Sequence, residues 1–109
     1  MSLDLIVLIP EGASSYEQAL SIYQAEDEEG DASTPGLRSF AQELNTRFGD
    51  HDWPFTADHL VFPDHVSIQI AHERWAEVVP EIVALAHKQE LVVLDPQYER
   101  LFPPGTTYE

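Results

Sequence analysis

The chain has 109 residues, no cysteine, and 20 acidic against 5 basic side chains, a formal net charge of −15. A field of that sign repels nucleic-acid phosphates and anionic membranes, and it attracts basic protein surfaces and cations. The missing cysteine excludes disulfides, thiolate nucleophiles and sulfur-ligated metals, and the length suits one domain with one core.

Leu5-Ile6-Val7-Leu8-Ile9 is a continuous apolar run closed by Pro10-Glu11-Gly12, which reads as a strand buried on both faces. The run is short and Asp4 stands beside it, so it is read as neither a signal peptide nor a membrane span. The expected compartment is the cytoplasm. A helix should follow: Ser14 and Glu17 have capping-box spacing, Tyr16, Ala19, Leu20 and Tyr23 recur at helical intervals, and Gly30 is a plausible stop. The next connection carries Glu26, Asp27, Glu28, Glu29 and Asp31. Negative charge near a helix C-terminus opposes the helix dipole. Local stability therefore does not account for this acidic run, and its functional reading is a patch that docks on a basic partner.

A second helix opens at Thr34-Pro35, carries an apolar stripe of Leu37, Phe40, Ala41, Leu44 and Phe48, and closes at Gly49. Residues 50–58 read as irregular, with Trp53 and Phe55 as core anchors. Leu60-Val61-Phe62 and the alternating Val66 to Ile70 make a hairpin about Pro63-Asp64. A third helix is expected from Glu73 to Glu90 with Pro80 inside it, then a buried strand from Leu91 to Leu94 ended by Asp95-Pro96. The domain is expected to span residues 1–102, and residues 103–109 to form an extended tail. Merging the two early helices into one layer gives an α+β, ferredoxin-like βαββαβ sandwich whose first helical layer is split in two.

The elements Asp4-Leu5-Ile6-Val7, Thr34-Pro35, Asp52-Trp53-Pro54 and Leu91-Val92-Val93-Leu94-Asp95-Pro96-Gln97 resemble those of a group of small, uncharacterised bacterial single-domain proteins. The closing strand of that group often follows Gly, where Glu90 stands here. The resemblance implies a bacterial single domain and brings no activity with it.

Residues 50–73 concentrate His51, His59, His65 and His72 among Asp50, Asp52, Asp58 and Asp64. These are suitable ligands for Zn, Ni, Mn or Fe, although no pair has the His-x-x-x-His spacing of a helical site. His65, Ser67 and Gln69 share one face of the third strand and form a polar row that could line a ligand site. A Ser67–His65 nucleophile–base pair is conceivable but lacks a visible oxyanion hole. The first and last strands are apolar on both faces, whereas a ferredoxin-like sheet has helices on one. Ile6, Leu8, Val92 and Leu94 are therefore expected on an uncovered face, as a homodimer interface or beneath the Tyr98–Phe102 segment. Trp53, Trp75, Phe40 and Phe48 are assigned to the core.

Taken together, these features favour a non-catalytic binding protein without a cofactor. Its acidic surface, Glu26, Asp27, Glu28, Glu29 and Asp31 above all, would engage a basic protein as an inhibitor or immunity-type protein does. The alternatives are a small metal-dependent enzyme using residues 50–73 and a structural homo-oligomer.

Overall fold

The computed structural model describes residues 2–11, 13–25, 30, 34–48, 55–56 and 59–105. In chain order the elements are β1 (Ser2–Leu8), α1 (Tyr16–Gln24), α2 (Pro35–Phe48), β2 (Leu60–Val61), β3 (His65–Ala71), a 3-10 turn (His72–Arg74), α3 (Trp75–Lys88), β4 (Val92–Asp95) and β5 (Arg100–Phe102). The protein is α+β, with one antiparallel sheet in the order β2-β3-β1-β4-β5. β1 pairs with β3 along its whole length, and the βαββαβ reading implies four strands. The sheet has five: β5 pairs with β4, so β4 is not an edge.

Capping residues explain where the helices begin. Ser15, one residue later than expected, caps α1 by accepting from the Gln18 backbone N–H at 3.2 Å. Thr34 accepts from the Leu37 N–H at 3.2 Å, and Pro35 takes the first helical position, where its missing N–H costs nothing. α1 stops at Gln24, well short of Gly30, the expected stop. α3 ends in a Schellman turn: the Glu90 N–H bonds the His87 carbonyl at 3.0 Å and the Leu91 N–H bonds that of Ala86 at 2.9 Å. Glu90 there has φ +57°, the conformation for which glycine is suited.

The sheet is covered on both faces, which is why Leu5, Ile6, Val7 and Leu8 are all fully buried. Leu5, Val7, Val66, Ile68, Ile70 and Val93 face α2 and α3, against Leu37, Phe40, Leu44, Trp75, Val79 and Ile82. Ile6, Leu8, Val92 and Leu94 face the other way and pack with Ala13, Ala19, Leu20, Tyr23 and Leu101. This corrects two expectations. α1 does not share a layer with α2; it lies across the opposite face. Ile6, Leu8, Val92 and Leu94 are not an open oligomer interface, because α1 buries them within the chain, and the Tyr98–Phe102 segment ends in an edge strand that adds Leu101 to their cluster. The rest of the expected tail, residues 106–109, lies outside the described residues.

Asp95-Pro96-Gln97 has a structural role. The β1–β4 ladder pairs Ile6 with Leu94, so continuing the register would set Asp4 opposite Pro96, which has no N–H to give. The Gln97 side chain substitutes for the missing strand. Its Oε1 accepts from the Asp4 N–H at 2.6 Å, and its Nε2 donates to the Asp4 carbonyl at 2.7 Å and to Asp95 Oδ1 at 3.0 Å.

Candidate functional site

α1 covers only part of its sheet face. Its nine residues lie over β1, β4 and β5, where the side chains are apolar, and leave the outer half formed by β3 and β2. Successive residues of a strand point to opposite faces, so His65, Ser67 and Gln69 emerge on this side while Val66, Ile68 and Ile70 enter the core. The register sets Gln69 beside Asp4 and Ser67 beside both Ile6 and Leu60. The result is a cleft of about 230 Å³ lined by Asp4, Tyr23, Ala25, Leu60, Phe62, His65, Ser67 and Gln69.

The last turn of α1 forms one wall. Tyr23 Oη donates to Asp4 Oδ2 at 3.2 Å. Burial, the Asp4 charge and this hydrogen bond all disfavour the phenolate and raise the Tyr23 pKa above 10.0. The β2–β3 turn forms the other wall, closed by a Phe62 N–H to His65 carbonyl bond of 2.8 Å. There His65 is 2 % exposed, stacked on Phe62 with ring centroids 4.3 Å apart, and held at Nδ1 by Asp64 Oδ1 at 2.7 Å. In the tautomer that donates Nδ1–H to the Asp64 carboxylate, Nε2 keeps its lone pair.

The cleft is electrically one-sided. No lysine or arginine lines it. Of the five basic residues, Arg38 and Arg47 lie on α2, Arg74 and Lys88 lie at the two ends of α3, and Arg100 stands over the Phe102 ring on the α2/α3 side. A larger groove of about 610 Å³ between α2 and α3 is lined by Glu43, Arg47 and Lys88. Its two cations are paired: Arg47 with Glu81, and Lys88 with Glu43 at 3.2 Å.

The polar row of β3 is thus part of a real cavity, joined by Asp4, Tyr23 and Phe62. Sequence reasoning missed those three; the apolar–polar alternation of β1, with Asp4 in phase with Ile6 and Leu8, was the available signal for Asp4. Ser67 makes no hydrogen bond with His65 among the described residues, so the two are not a nucleophile–base pair here. The described histidines of the alternative metal-site reading are not all brought together. His65 and His72 stand at opposite ends of the seven residues of β3, about 20 Å apart at a strand's rise per residue, and cannot ligate one ion. His59 packs edge-on against Phe55. His51 lies outside the described residues, as do Glu26, Asp27, Glu28, Glu29 and Asp31. Among the described residues no three His, Cys, Asp or Glu side chains converge as a metal site, and no helix is long and apolar enough to cross a membrane.

No protein-family model, curated protein or solved structure matches this chain.

Proposed function

We propose that this protein is a non-catalytic acidic binding protein that docks a basic protein surface on the α1 side of its sheet, as an inhibitor or immunity-type protein does. One observation carries the reading: the five cations of the chain lie away from that side, and its cleft carries the Asp4 carboxylate. The residues flanking the acidic run also border this region. Ala25 lines the cleft, and the Gly30 N–H bonds the carbonyl of Val61, between the lining residues Leu60 and Phe62, at 3.0 Å. In the sequence, Glu26-Asp27-Glu28-Glu29 falls between Ala25 and Gly30. Such asymmetry steers an oppositely charged partner and raises its on-rate.

The scaffold is read as a ferredoxin-like βαββαβ unit formed by β1, α2, β2, β3, α3 and β4, with α1 and β5 added. The order of these four strands and the position of both helices on one face support this reading. A scaffold of that kind serves many unrelated functions and does not itself name one.

The test is affinity capture from the source organism with the parent chain and with a variant in which Glu26, Asp27, Glu28 and Glu29 become their amides. The expected result is one predominant basic protein, released by moderate salt and recovered much less by the variant. Equal recovery by both chains would remove the acidic run from the mechanism, and no recovery at low salt would overturn the reading.

A further inference from the structure

We infer that the cleft is an arginine pocket, which receives the guanidinium of an arginine side chain projecting from the basic partner. This rests on the binding-protein reading above and adds the chemical group recognised. The argument begins with what the cleft offers. Asp4 Oδ2 accepts the hydrogen bond of the Tyr23 hydroxyl, and Oδ1 has no hydrogen-bond partner among the described residues. His65 is almost wholly buried, its Nδ1 is committed to Asp64, and Nε2 likewise has no partner among the described residues. The Ser67 hydroxyl and the Gln69 amide complete the polar lining.

Acceptors therefore predominate: a carboxylate oxygen, an imidazole lone pair, a hydroxyl and an amide carbonyl. A guanidinium is their complement, with five N–H donors in a rigid plane, a permanent charge and no acceptor. An ammonium offers a strongly hydrated point charge and matches the spread of acceptors less well. Tyr23 and Phe62 supply aromatic surface, on which a guanidinium is well accommodated. Anions meet only repulsion, since no basic residue lines the cavity.

Size and position identify the source of the cation. At about 230 Å³, the cleft falls below the roughly 300–1,000 Å³ of pockets that enclose drug-sized ligands. Its rim residues Leu60 and Ala25 are exposed, so a side chain can enter while its backbone stays outside. The pocket lies on the side of the molecule that holds none of the chain's lysines or arginines, where an approaching basic surface is least opposed.

Titration of the 15N-labelled protein with Nα-acetyl-arginine amide tests the inference, with the citrulline and lysine amides as controls. Citrulline keeps the shape and loses the charge. Saturable amide shifts should appear at Asp4, Ser67 and Gln69, with arginine bound at least tenfold more tightly than citrulline and more tightly than lysine. Asp4→Asn should weaken the arginine probe about tenfold, and Ser67→Val, a β-branched residue suited to a strand, should occlude the cavity while β3 stays folded. Equal response to citrulline, or arginine shifts that survive both variants in a folded protein, would overturn the pocket. If the probe fails while a basic protein is still captured in a salt-dependent manner, the pocket is wrong and the binding-protein reading stands. If the probe binds but no protein is captured, the guanidinium site stands and its assignment to a partner's side chain is overturned.

Discussion

Glu90 holds a left-handed backbone, φ +57°, because the Schellman turn after α3 demands it and no glycine is there to supply it. An L residue in that region costs roughly 1–2 kcal/mol, which glycine avoids. The Glu90 side chain is exposed, so Glu90→Gly should raise the thermal midpoint by about 4 °C for about 1 kcal/mol gained. An unchanged or lower midpoint would show that the extra freedom of the unfolded glycine chain cancels the relief. Tyr23 is the other informative single residue. Its phenol is protonated more firmly in the folded state than at the ordinary 10.0, through burial first and then through the charge and hydrogen bond of Asp4. Above that value the unfolded chain loses the proton while the folded chain keeps it, so stability falls with rising pH. The contribution is fully present below about pH 10 and is lost as pH rises through the raised folded value. Melts from about pH 8 to pH 11 should therefore show a steeper alkaline decline in the parent than in Tyr23→Phe. Parallel declines would mean that Tyr23 is not held against Asp4.

α1 is the element on which the architecture turns, since it converts the second face of the sheet into core. Leu8 is fully buried beneath it. Leu8→Asp would set an unpaired carboxylate there and should cost about 4 kcal/mol or more, much of a small domain's stability. Circular dichroism should record a large fall in the thermal midpoint; a folded monomer with an unchanged midpoint would refute the α1 packing. The two-sided burial was legible in the sequence, because Leu5 and Val7 alternate with Ile6 and Leu8 and no one-sided sheet needs both sets. What covers the second face was not. Helical periodicity marks the apolar stripe of α1 without saying which face of the sheet it meets, and merging α1 with α2 into one layer left Ile6, Leu8, Val92 and Leu94 apparently bare. β5 was invisible for a different reason: Arg100-Leu101-Phe102 is too short to show a period, and its strand character comes from pairing with β4. The candidate site was half legible. The row of His65, Ser67 and Gln69 follows from strand alternation alone, but Asp4 and Tyr23 join it only through the β1–β3 register and the docking of α1.

Over the whole molecule, net charge sets a cost that, among the described residues, lysine and arginine pairs offset on one side. The pairs Arg47–Glu81, Arg74–Glu77 and Lys88–Glu43 all lie on the α2/α3 layer, and exposed pairs of this kind contribute about 0–1 kcal/mol each. Among the described residues the α1 side has no lysine or arginine ion pair. With 15 excess negative charges on 6042 Å² of surface, there is one per about 400 Å², a mean spacing of about 20 Å. That spacing lies between the screening lengths of dilute and physiological salt, about 30 Å at 0.01 M and about 8 Å at 0.15 M. In dilute salt each charge therefore senses its neighbours and the compact state is self-repelling; near 0.15 M it does not. Unfolding separates the charges, so screening favours the folded chain more than the unfolded one. The thermal midpoint should rise with NaCl over that interval and then level off. Because the cations cluster with partners on α2 and α3, screening also weakens those pairs, an opposing effect that the small energies above cannot make dominant. A flat or falling midpoint would show that it does dominate, and the argument from net charge to an attracted basic partner would lose its electrostatic basis.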